Sequence, residues 1–186
     1  MADPIEDLAA QGAAAANEAP SFDDLAWKAR GAFRYHAGSC LRYHRRRQRF
    51  FDGLDKLTKT LTVAVATTFL ADLSGQKFVA SIFASLTLLD LIFGYGDRRN
   101  QHQRAGDMAA ELFESIEGTP LDRTTTETAA RWGALYAKLL AFAPPTLKCL
   151  KLICEREQSI ADGKREHADN NNPEQPGWRR FIADIF

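Results

Sequence analysis

The 186-residue chain contains no glycine-rich phosphate loop, no paired-acid nucleotidyltransferase pattern and no serine in a nucleophile-elbow context. These gaps remove the common phosphate-handling and acyl-transfer chemistries, and no enzyme activity is expected. Net charge is also missing: 24 basic residues balance 24 acidic ones, which excludes bulk electrostatic attraction to nucleic acid. Cysteine is scarce. Cys40, Cys149 and Cys154 fit neither a disulfide framework nor a zinc knuckle, so reduced thiols facing the cytoplasm are expected. The opening MADPIEDLAAQGAAAANEAP lacks the apolar core of a secretory signal, and no lipidation motif is seen. No cofactor is expected.

What is present is unevenly distributed. Hydrophobic residues make up 45% of the chain, while mean hydropathy is only −0.31. That average allows a soluble body with two short greasy segments. Residues 1–20 read as a low-complexity tail. Ser21 is a candidate N-cap for a basic amphipathic helix over 21–59, with Asp23 and Asp24 in its first turn. Arg-Tyr-His repeats at 34–36 and 42–44. A shift of eight residues nearly restores the same helix face, so Tyr35 aligns with Tyr43 and His36 with His44. Cys40 lies midway. Three rungs of one helix rarely wrap a metal ion, and packing against a neighbouring helix is the preferred reading.

Two apolar runs follow, TLTVAVATTFLADLS and FVASIFASLTLLDLIFGYG, joined by GQK. Between Lys59 and Lys77 the only charge is Asp72, and between Lys77 and Asp97 it is Asp90. A bilayer span needs ~20 mainly apolar residues. Residues 60–96 are therefore expected to form a transmembrane helical hairpin, a soluble helical hairpin being the alternative. The charge pattern favours the membrane. Arg42, Arg45, Arg46, Arg47 and Arg49 precede the hairpin, Arg98 and Arg99 follow it, and the turn carries only Lys77. Basic residues concentrate on the cytoplasmic side of short loops, so both ends of the hairpin, and both termini, are expected in the cytoplasm. Phe50 and Phe51 are expected near the headgroups. Inside the hairpin, Thr60, Thr68 and Asp72, with Ser81, Ser85 and Asp90, are candidate helix-contact or pore-lining positions.

Beyond the hairpin, residues 97–162 read as a small cytoplasmic bundle. Its stripes are Met108, Leu112 and Ile116, ended by Gly118 and Pro120; then Trp132, Leu135, Tyr136 and Leu139; then, past Ala143-Pro144-Pro145, Leu147, Leu150 and Cys154. Residues 163–186 read as a polar linker and a short C-terminal helix, interfacial or docked. His102 and His167 read as solvated. The fold class is all-α.

Taken in order, RYHRRRQRFFDGLDKL, LLDLIFGYGDRRNQHQ, AAELFESIEG and APPTLKCLKLICERE resemble the SLATT family, two-helix membrane proteins associated with bacterial nucleotide-signalling conflict systems. The resemblance covers roughly residues 30–160. It implies an oligomeric, pore-forming membrane effector, triggered by a nucleotide-sensing or signalling partner protein. A membrane-anchored adaptor, or a soluble helical protein whose arginines bind nucleic acid, are the alternatives; the hairpin makes nucleic acid the poorer match. If the membrane reading holds, the expressed chain stays in the pellet after carbonate washing, and release into the supernatant would contradict it.

Overall fold

The computed structural model describes residues 22–71, 81–82, 84–85, 87–88 and 94–176. These form α1 (Phe22–Ala71), α2 (Tyr95–Glu117), a 3-10 turn (Leu121–Arg123), α3 (Thr126–Phe142), α4 (Lys148–Ala161) and α5 (Arg165–Asn171). The described part is all-helical. The tail 1–20, the Ser21 cap, Asp72, the GQK turn, Asp90 and the segment Trp178–Ile185 lie outside the described residues.

α1 runs unbroken for 50 residues and is the helix on which the bundle is built. Its buried positions include Arg30, Ala37, His44 and Phe51, each seven residues from the last, with Arg47 and Asp55 interleaved. On α2 the buried set is His102, Ala105, Ala109, Leu112 and Ile116, alternating steps of three and four. Such spacing averages 3.5 residues and describes a coiled-coil seam. The two helices run antiparallel. Near the start of α1, Arg30 donates to the Thr119 carbonyl at 2.6 Å. In the middle, His44 meets His102 at 3.0 Å. At the far end, Arg99 donates to Asp52 at 3.3 Å. Small residues allow the close approach: a Cβ on Gly106 would already touch that of His44 at 3.6 Å.

α3 completes the apolar core. Ala37, Leu112, Ile116 and Trp132 form one buried cluster, and Ala105, Ala109 and Leu139 form a second. Trp132 reconciles its indole N–H with burial by donating to Ser115 at 3.3 Å. The helix opens with a capping box, in which Thr125 and Thr128 satisfy each other's backbone N–H groups. The two prolines at 144 and 145 then interrupt the helix, because proline supplies no N–H and restricts the residue before it.

α4 packs antiparallel on another face of α1, around Tyr43, Leu150, Ile153 and Cys154. Here the Arg-Tyr-His repeat finds its role. Tyr43 accepts the Leu147 N–H at 2.9 Å, and Tyr35 donates to the Glu155 carbonyl at 3.3 Å. The tyrosines thus share a face toward α4. His36 instead stacks on Tyr136 of α3, and His44 faces α2. Cys40, Cys149 and Cys154 form no disulfide.

One expected linker is a helix. Gly163 adopts φ +76°, and the Lys164 N–H reaches back to the Ser159 carbonyl at 2.8 Å, a left-handed stop that ends α4. The chain then re-enters helix as α5, buries Ala168 and is tied to α4 by Arg156–Asp169 at 2.6 Å. The polar sequence concealed this, since the segment docks through one alanine and an ion pair and carries no apolar stripe. Leu112, 1% exposed in the central cluster, tests the core. Leu112→Ala should cost about 2–5 kcal/mol in chemical denaturation, whereas Leu121→Ala, at an exposed position, should cost under about 0.5 kcal/mol.

Candidate functional site: the basic end of the bundle and the arm beyond it

The arginine block lies where α1 leaves the bundle, and its members have separate fates. Arg47 is buried at 8% exposure, with its guanidinium over the Phe51 ring at 4.5 Å and the Phe50 ring at 5.2 Å. Phe51 is buried as well and stacks on His102, with centroids 5.6 Å apart and rings inclined by 16°. The expectation that Phe51 sits near lipid headgroups is therefore corrected: its period-seven position faces α2. Phe50 is half-buried. Arg42, Arg45 and Arg49 are exposed and Arg46 is partly so. Arg42 donates to Gln158 at 2.9 Å, and Arg46 stands 3.7 Å from Glu157. Arg98 is exposed, while Arg99 turns inward to the Asp52 and Asp55 carboxylates.

His102 is likewise not solvated. It is 5% exposed, and its Nδ1 lies 3.0 Å from Nδ1 of the buried His44. A hydrogen bond between these atoms requires one to carry a proton and the other to lack it. At least the accepting ring is therefore neutral, and burial disfavours a charge on either. Burial lowers His44 to about 4. For His102, burial first, then repulsion between its proton and one on His44, and then the Arg47 and Arg98 charges lower it to about 3. The sequence did contain a signal for this pair: His102 is the first step of the spacing that continues through Ala105, Ala109 and Leu112, hidden because its first member is polar.

A charged collar closes the bundle one turn further along. Asp55 is buried and bonded to Lys59 at 2.7 Å, with Arg99 at 3.8 Å. Asp52 is held below the usual carboxylate range by its hydrogen bond from Lys56, reinforced by Arg99. After Asp55 the environment changes. From Lys56 to Thr67 no side chain is buried, although Leu57, Leu61 and Val63 are 56%, 43% and 63% exposed. Ile82 and Leu88 are exposed too. Hydroxyls on this arm turn back to their own helix. Thr58 donates to Leu54, Thr60 to Lys56, Thr62 to Thr58 and Thr67 to Ala64, and Ser85 donates to Ser81. Of the candidate helix-contact positions, Thr60, Ser81 and Ser85 are exposed. The Thr68 side chain, Asp72 and Asp90 lie outside the described residues. Among the described residues no helix is long and apolar enough to cross a membrane, and no three His, Cys, Asp or Glu side chains gather to hold a metal.

Comparison of the chain with known protein families, with curated proteins and with solved structures finds no match.

The histidine pair makes the bundle acid-sensitive. Below pH 6.5, the ordinary histidine value, unfolded imidazoles take up protons that the folded pair refuses. Stability present at neutral pH is then lost as pH falls toward 4, with a slope of up to ~1.4 kcal/mol per pH unit for each histidine. Replacing both by leucine should flatten this limb in urea titrations between pH 6.5 and 4. An unchanged limb would assign the acid sensitivity elsewhere.

Proposed function

We propose that the chain is a membrane effector of a bacterial conflict or defence system. The hairpin over 60–96 enters the cytoplasmic membrane, several copies associate, and a signal from a partner protein converts the assembly to a form that perturbs or perforates the bilayer. The observation that carries this reading is the abrupt change at Asp55. On one side α1 is packed against three helices; on the other the same helix continues to Ala71 with Leu57, Leu61 and Val63 exposed and no side chain buried from Lys56 to Thr67. Such a surface is stable only against another apolar phase. The internally bonded threonine and serine hydroxyls support the same reading, because polar groups in lipid must find partners within the protein. The SLATT resemblance gives the effector class.

Orientation follows from the basic residues on both sides of the hairpin, which keep the bundle and both termini in the cytoplasm. Two spans have too little wall to enclose a channel, so conduction needs a homo-oligomer. Thr60, Thr68 and Asp72, with Ser81, Ser85 and Asp90, are the positions at which helices meet or water enters. Asp90 is the most consequential, since an acid near mid-membrane costs about 2.5–3.5 kcal/mol on insertion scales and is tolerated best beside water or a partner.

A second reading has its own observation. Leu140 and Phe142 near the end of α3 are 53% and 43% exposed, and an adaptor that binds a protein through the bundle would use such residues, with the hairpin only as a tether. A potential-sensitive dye separates the two. As an effector, the expressed chain depolarises cells, Asp90→Leu changes the extent, and exchange of the hairpin for an unrelated anchor abolishes it. Normal membrane potential with abundant protein in the membrane would reject the effector reading; biological function that survives the exchange would favour the adaptor.

A further inference from the structure

A cleft of about 560 Å³ opens between the first turns of α1 and the junction of α4 with α5, and Trp27, Lys28, Gly31, Tyr35, Ser159 and Lys164 are among its lining residues. Steps of four put Trp27, Gly31 and Tyr35 on one stripe of α1. The middle rung has no side chain, and a Cβ built on Gly31 would meet nothing within 4 Å. Glycine inside a helix weakens it. No close-packed neighbour requires glycine here, and what it leaves is room between the Trp27 and Tyr35 rungs. Ser159 forms the floor. It is completely buried, and its Oγ has no hydrogen-bond partner. The Tyr35 hydroxyl feels the Ser159 side chain, but the contact falls short of a hydrogen bond, and the Tyr35 proton goes to the Glu155 carbonyl at 3.3 Å. A buried hydroxyl left alone carries an uncompensated loss of hydration. In native folds an ordered water or a ligand ordinarily meets such a group.

The volume falls in the range of small-ligand sites, which join apolar walls to a few placed polar groups. Trp27 is 56% exposed and Tyr35 is half-buried, so an aromatic body has rings to stack on. Among the described residues, the formally charged side chains lining the cleft are Lys28 on α1 and Lys164 just ahead of α5. Both are exposed and stand at its mouth. The acids that act on Tyr35, Glu155 and Asp162, are engaged by Lys151 at 3.7 Å and by Arg34 at 2.6 Å. A lysine ammonium is a compact point charge without the planar fork that favours phosphate, so a carboxylate is the better match. We propose that this cleft binds a small aromatic carboxylate with a hydrogen-bonding group at the far end of its ring. The ring fills the space beside Gly31, the carboxylate lies between Lys28 and Lys164, and the distal polar group meets the Ser159 hydroxyl. Such a molecule bridges α1 to the start of α5. By the helical rise of 1.5 Å per residue, Gly31 stands roughly 36 Å from Asp55 along α1, so the site does not depend on whether residues 60–96 enter lipid.

The test uses the full chain in neutral detergent and 6-hydroxy-2-naphthoate as the probe. Binding is measured by equilibrium dialysis against a detergent-only reference, and amide exchange of α5 is followed on the same samples. 2-Naphthoate, which lacks the distal hydroxyl, and 6-hydroxy-2-naphthalenemethanol, which lacks the charge, serve as controls. The hydroxy acid should bind saturably, about tenfold more tightly than either control, and should slow exchange in α5. Gly31→Leu should abolish binding by filling the cleft while the helix is retained. Lys28→Gln combined with Lys164→Gln should weaken binding about tenfold. Ser159→Ala should weaken binding of the hydroxy acid but not of 2-naphthoate, and should leave the thermal midpoint of the unliganded chain unchanged or raised. The proposal is overturned if the hydroxy acid binds no better than the controls, if Gly31→Leu binds as wild type does, or if Ser159→Ala lowers the midpoint and leaves binding unchanged.

Discussion

The structure depends on the antiparallel seam between α1 and α2. The seam is built from alanines, a few large apolar side chains and, unusually, arginine and histidine at buried period-seven positions. Alanine and glycine let the two backbones approach, and the close approach shields the His44–His102 pair and the Arg47–Phe51 stack from water. Dispersion contacts of this kind are individually small and gain strength by density. The polar members gain it by satisfaction, since a neutral imidazole pair sharing one proton position is acceptable where two imidazolium ions would not be. Once this seam is formed, α3 and α4 have surfaces on which to dock.

The same seam determines where the bundle stops. Asp55 is the last buried side chain of α1 before the arm, and its burial is sustained by Lys59 and Arg99. A buried carboxylate without such partners would be strongly destabilising. Past this collar the helix continues without a change in backbone but with a change in surroundings. The same helix is packed in the bundle up to Asp55 and carries no buried side chain from Lys56 to Thr67.

Much of the architecture was legible in the residues. Gly118 and Pro120 mark the end of α2, the pair at 144 and 145 separates α3 from α4, and the stripe through Trp132 and Leu139 faces the core. The eight-residue repeat correctly aligned Tyr35 with Tyr43. Other features were not legible, each for a stated physical cause. His102 and Phe51 were misread because their surroundings are charged, and a hydrophobic count treats a stripe of arginine, histidine and alanine as solvent-facing. α5 was missed because an ion pair and one buried alanine hold it. The division between a basic helix and a separate bundle disappeared, since α1 is central to that bundle.

By itself, the sequence determined helical class, the principal breaks and the gathering of positive charge on both sides of an apolar stretch, because these follow from local propensity, proline and glycine chemistry and composition. Only the tertiary structure decided which arginines are buried and which stay exposed. That distinction depends on partners far along the chain, such as His102 for His44 and Glu157 for Arg46. Adjacent arginines are chemically identical until a neighbouring helix removes water from one and leaves it on the next.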